Sequence, residues 1–157
     1  MVACALAIFA ANPGLAVDGN PRSSSRGLSV TATPVTGLDP TMQRIVVVGR
    51  GFDPRVGIYV GLCVIPPKGG KPTPCGGGVN TSGSDSASAW VSTNPPPYGQ
   101  TLATPFREGG RFRVVLSVSS RVGDVDCRQI ACAIVTRADH TRPGERRFDV
   151  LVPVQFS

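Results

Sequence analysis

A chain of 157 residues is the length of one domain, and 19 glycines with 15 prolines make it rich in turns. Sixteen Lys/Arg against ten Asp/Glu give a net charge of +6. Such a charge could favour anionic envelope polymers, lipids or nucleic acid, but the arginines are scattered rather than run together, which reads first as a soluble basic surface. Valine dominates the apolar residues and few segments suit a long helix, so a helical bundle is excluded and an all-β domain is favoured. No stretch is long and apolar enough to span a membrane as a helix.

Residues 1–16, MVACALAIFAANPGLA, are apolar and uncharged. Gly14-Leu15-Ala16 fits a small-x-small cleavage site, so the segment is read as a signal peptide that lacks the usual positive start; a buried N-terminal segment is the alternative. Residues 17–27 are polar, with Pro, Ser and Gly, and read as a flexible linker. The domain proper spans 28–157. Leu28–Thr33 alternates apolar and polar residues and predicts a first strand. Gln43–Gly49 predicts a second, whose valine run suggests burial on both faces, and Val56–Ile65 a third. Pro66–Cys75 is a Pro/Gly-rich hairpin tip. Residues 76–110 read as an inserted loop, weakly structured over 76–88, with a short strand at Ala89–Thr93 and an irregular stretch over 94–106. Arg111–Ser119 alternates cleanly, with Phe112, Val114, Leu116 and Val118 sharing one face. Val122–Ala138 places Cys127 and Cys132 around a tight turn and runs into a strand at Ala131–Thr136. Phe148–Phe156 closes the chain, and Pro153 within it argues for an edge strand or a bulge. About seven short strands with turns between them predict a two-sheet Greek-key sandwich.

With residues 1–16 removed, four cysteines remain: Cys63, Cys75, Cys127 and Cys132. An even count in an exported domain implies disulfides, and four cysteines allow three pairings. Pairing neighbours would close two local loops, worth ~3 and ~2 kcal/mol in the chain-entropy model. A zinc site is the runner-up, weakened by the lack of a C-x-x-C pair and by the distance of the sole histidine, His140. No catalytic set is predicted. His140 lies in a turn, and Asp139 beside it is badly placed to orient it for a triad. Asp124 and Asp126 alternate before Cys127 but supply too few oxygens for calcium. Gly76-Gly77-Gly78 lacks the context of a phosphate loop. No cofactor, no metal and no sequence-specific nucleic-acid binding are expected.

The words Val30-Thr-Ala-Thr-Pro, Ile45-Val-Val-Val-Gly-Arg-Gly-Phe, Tyr59-Val-Gly-Leu-Cys63, Val125-Asp-Cys127 and Ala131-Cys132, with four residues between the last two cysteines, fall in a familiar order. Over roughly residues 28–75 and 111–157 the chain is similar to the neocarzinostatin family of secreted actinobacterial apoproteins. The resemblance implies a seven-stranded immunoglobulin-like sandwich with a small disulfide-closed hairpin subdomain. It also implies local disulfides Cys63–Cys75 and Cys127–Cys132, and a cleft beside the hairpin that holds an enediyne chromophore in known members. It implies a protein that is not itself a catalyst. The chain departs from the family pattern at defined places. Ile65 stands where members carry a tryptophan. The segment 119–124 has no aromatic where they carry a phenylalanine-rich loop. Val135 and Arg137 stand nearest the positions of a cleft-lining glycine and serine.

These readings combine into an expectation of a monomeric, secreted or envelope-associated binding module, not an enzyme. It would hold an apolar or aromatic small molecule, or contact a surface partner such as an anionic envelope component. Ile65, Trp90, Tyr98 and Phe106 are the expected ligand-lining residues, the last three from the inserted loop; alternatively their rings cover the edge of the core. Two other functions stand beside this one: an antibacterial, antibiotic-carrying apoprotein whose chromophore damages DNA, and a structural envelope protein with no ligand.

Overall fold

The computed structural model describes residues 22–25, 27–77 and 87–157. The expected signal segment, most of the linker and residues 78–86 of the inserted loop lie outside the described residues. Among the described residues no helix is long and apolar enough to cross a membrane.

The described residues form ten strands: β1 Arg22–Ser25, β2 Leu28–Thr33, β3 Gln43–Arg50, β4 Ile58–Val64, β5 Ser88–Val91, β6 Phe112–Val118, β7 Arg121–Val122, β8 Val125–Asp126, β9 Cys132–Ala138 and β10 Val150–Val154. They build two four-stranded sheets, ordered β1-β2-β3-β6 and β10-β9-β4-β5, and a short β7-β8 ribbon. All the strand pairs are antiparallel. The chain passes from the first sheet to the second after β3, returns after β5, and crosses again after β6 by way of the ribbon. The result is an all-β, immunoglobulin-like Greek-key sandwich.

The seven strands read from the sequence correspond to β2, β3, β4, β5, β6, β9 and β10. The addition is β1. Arg22–Ser25, placed in the linker by composition, instead pair with Leu28–Thr31. Gly27, with φ 83°, supplies the left-handed turn position that lets the chain fold back. The unpaired edge of β2 then satisfies backbone groups that polar side chains gave no hint of. Pro153 lies in β10, an edge strand, where its missing N–H breaks no ladder.

Alternation dictates the core. Val30 and Ala32, Ile45 and Val47, and Val114 and Leu116 point inward from the first sheet, against Ile58, Val60, Leu62, Ile134, Val150 and Val152 from the second. Each of the buried Val, Leu and Ile side chains contributes about 1.5–3 kcal/mol relative to exposure. At one end Phe52 packs against Phe106, Phe112 and Phe148, with ring centroids 6.2, 5.3 and 6.3 Å away. Gly110 permits this closure: a Cβ there would fall 1.7 Å from the Phe52 carbonyl oxygen. The valine run of β3 is not buried on both faces. Ile45 and Val47 are inside, whereas Val46 and Val48 are half-buried on the outer face, because only one face of this sheet is covered.

Candidate functional site

The two local disulfides, Cys63–Cys75 and Cys127–Cys132, are formed. The first folds the 66–75 hairpin back over the outer face of the β10-β9-β4-β5 sheet. Backbone bonds from Val64 N to Pro74 O (3.0 Å) and from Gly76 N to Leu62 O (2.7 Å) hold its base. Two arginines reach its tip from the far side. Arg137 Nη1 donates to Pro72 O (3.4 Å), and Arg146 Nη2 donates to Gly70 O (2.6 Å).

Between this hairpin and the sheet lies a cleft of about 220 Å³. Register explains its floor. Ile58, Val60 and Leu62 of β4 turn inward, so Tyr59, Gly61 and Cys63 turn out. Opposite them on β9 stand Arg137, Val135 and Ala133. On the other side Ser88 of β5 pairs with Gly61, and Trp90 with Tyr59. Gly61 and Val135 therefore form the base, the Cys63–Cys75 bridge one wall, and Tyr59 and Arg137 the opposite end. A Cβ on Gly61 would meet nothing closer than 3.5 Å, so a side chain placed there projects into the cleft without distorting the sheet.

An aromatic group continues from Tyr59 to the rim. Its hydroxyl bonds His140 Nδ1, and the Tyr98 hydroxyl bonds His140 Nε2 at 2.5 Å, so one imidazole joins a strand residue to the inserted loop. Trp90 lies within ring contact of Tyr59, Tyr98 and His140. Its indole N–H donates to Asp139 Oδ2 at 2.9 Å. Asp139 is buried, and its other oxygen accepts from the Thr141 N–H and hydroxyl at 2.9 and 2.6 Å. Gly57 makes room for this carboxylate, since a Cβ there would lie 2.0 Å from Oδ2. Burial, with the charge of Asp139 nearby, pushes the Tyr59 phenol up to about 12.

The residues expected to line the site divide. Phe106 belongs to the phenylalanine cluster of the core, not to a surface. Trp90 is buried beneath the inserted loop, with Gly99 lying flat on its ring. Tyr98 is 56% exposed at the rim. Ile65 packs on Cys63, Ala133 and Val135, beside the cleft but outside its lining. Of the three rings of the inserted segment, Trp90 and Phe106 are thus buried and Tyr98 is exposed. The missed residues are Tyr59, Gly61 and Ser88. Strict alternation in β4 pointed outward at Tyr59 and Gly61, a signal overshadowed by the aromatics of the longer loop.

The opposite outer face, on β2-β3-β6, gathers charge. Arg44 and Arg50 of β3, Arg113 of β6 and Arg111 just before it are all exposed there, and Arg107 bridges to Arg111. The ion pairs among the described residues lie elsewhere, Asp53–Arg55, Asp126–Arg128, Asp149–Arg146 and Glu145–Arg147, and none uses these five arginines. Arginines scattered in sequence are thus collected on one face by strand pairing.

Fold and cleft together place the chain in a class: a neocarzinostatin-like sandwich with a disulfide-closed hairpin over one sheet. Among solved structures, macromomycin aligns with a TM-score of 0.51 at 20% identity, over 83% of this chain and 99% of its own. At that identity the likeness is one of fold. No protein-family model and no curated protein matches the chain.

Proposed function

We propose that this protein is an exported, non-catalytic binding protein that holds a small, largely apolar molecule in the cleft beneath the Cys63–Cys75 hairpin. The observation that carries the reading is the cleft itself, apolar along Val60, Gly61, Val135 and the disulfide, and not filled by Val135 or Arg137. Its position beside the hairpin matches the position that the family resemblance implies for a ligand. Two disulfides fit an oxidising compartment, in keeping with the signal-like segment at 1–16. The volume is below the roughly 300–1,000 Å³ of sites that take drug-sized ligands. That favours a one- or two-ring molecule over a large chromophore, and so a binding module over an antibiotic carrier. Mass spectrometry of the protein purified from its own host, under native conditions, is expected to find a bound organic molecule. Gly61→Phe should release it while leaving the unfolding transition in place. Native protein with no bound molecule, and no response of the cleft to small aromatic compounds, would return the chain to the structural reading.

A second reading rests on the arginine face. Four exposed arginines on one sheet face, Arg44, Arg50, Arg111 and Arg113, with no ion pair among the described residues, suit an anionic envelope polymer. Retention of the protein on such a polymer should fall steeply with salt and fall further in an Arg44→Gln/Arg113→Gln variant. Salt-independent retention would remove this reading without touching the first.

A further inference from the structure

We infer that the cleft selects a small organic anion, an apolar or aromatic body carrying one carboxylate that pairs with Arg137. The inference rests on the reading of the cleft as a small-molecule site and adds the chemical class of its ligand.

Among the described residues, Arg137 is the one cation lining the cleft. It is half-buried, directly across the sheet from Tyr59. A guanidinium carries five N–H donors in a rigid fork. Here one nitrogen, Nη1, is held by the Pro72 carbonyl and lies 3.9 Å from Cys75 Sγ. That bond fixes the side chain against the hairpin without neutralising it. The neighbouring carboxylates are engaged elsewhere. Asp149 takes Arg146 at 2.5 Å and feels Arg137 only through space, Glu145 takes Arg147, and Asp139 takes Trp90 and Thr141. None of them makes an ion pair with Arg137 among the described residues. The polar group nearest this end, the Tyr59 hydroxyl, is committed to His140.

A neutral apolar ligand seated here would strip water from one side of a guanidinium and give nothing back, which is costly. A carboxylate matches the planar fork in two parallel hydrogen bonds and restores the balance. One cation calls for one negative charge, so a monoanion fits better than a phosphate dianion. The side chain missing at Gly61, together with Val135 and the disulfide, leaves a flat apolar bed for the ligand's body. The ligand thus lies across β4 and β9, with its acid at Arg137 and its body toward Cys63–Cys75.

The test compares 2-naphthoate with its neutral isostere 2-naphthamide at pH 7, read by calorimetry and by the fluorescence of Trp90, the only tryptophan. Wild-type protein is expected to bind the acid at least tenfold more tightly than the amide. Arg137→Gln should erase that preference while keeping the amide's affinity, and Arg137→Lys should restore it in part. Equal affinity of the wild type for both probes overturns the anion inference and leaves the small-molecule reading standing. Binding of neither probe, or binding that Gly61→Phe does not reduce, overturns both. The acid-to-amide ratio of the wild type decides the matter even where an Arg137 variant fails to fold, and thermal unfolding identifies such a variant.

Discussion

The two sheets of the sandwich turn opposite kinds of outer face to their surroundings. On β10-β9-β4-β5 the face is partly covered: a disulfide-closed hairpin and an inserted loop leave an apolar cleft with Arg137 in its lining. On β2-β3-β6 the face is bare, with half-buried valines between exposed arginines. Both faces come from strands with the same period-two alternation and share one core. What differs is the length of the connections. Short turns leave the arginine face open, whereas the connections after β4 and β5 are long enough to fold back over their own sheet. Function in this sandwich therefore follows the loops, and stability follows the shared interior.

That contrast makes the cleft side the sensitive one. Replacing Cys63 and Cys75 together by alanine should cost about 3 kcal/mol by loop entropy, and should open the hairpin and abolish cleft binding. Urea denaturation with a ligand titration checks both effects. Retained binding would show that the hairpin is not the cleft's wall. Asp139→Ala comes next. It leaves the Trp90 and Thr141 donors without their buried acceptor, at a cost of about 2 kcal/mol, and should loosen the inserted loop, seen as faster amide exchange around Tyr98.

The third prediction concerns alkaline pH. The Tyr59 phenol is pushed up to about 12, chiefly by burial, so the folded state keeps its proton while the unfolded chain loses it near 10. The unfolded state then binds fewer protons, and stability falls as pH rises from about 10 to about 12. Ultraviolet titration should show one of the two tyrosines ionising late, and Tyr59→Phe should remove the late step and flatten the stability curve over that window. The smallest effect belongs to the bare face. Arg44→Gln with Arg113→Gln should change stability by no more than about 0.5 kcal/mol and leave cleft affinity unchanged. A larger loss would mean that the two faces are not independent.

Much of this was legible beforehand, for physical reasons. Alternation needs only the pleat, so Phe112, Val114, Leu116 and Val118 announced their common face, and the turn residues between strands announced the sandwich. The resemblance in short words around the cysteines carried the disulfide pairing and the position of the cleft. The lining was harder to read. Trp90, Tyr98 and Phe106 share a loop, and aromatics on a loop look like a binding surface. Phe106 went to the core because Phe52, Phe112 and Phe148 converge at the same end of the sandwich. His140 looked like an ordinary turn residue; its two phenol partners are 42 and 81 residues away.

Local pattern by itself determined seven of the strands, the all-β class and most of the inward-facing residues, since these depend on periods of two and on turn chemistry near each residue. Tertiary structure alone decided that Arg22–Ser25 would add a strand to an open edge. It also gathered Arg44, Arg50, Arg111 and Arg113 on one face, and set Arg137 beside Gly61, Val135 and the disulfide. Each of those outcomes depends on sheet register and loop return between segments distant in the chain, and no local period records which strand will lie beside which.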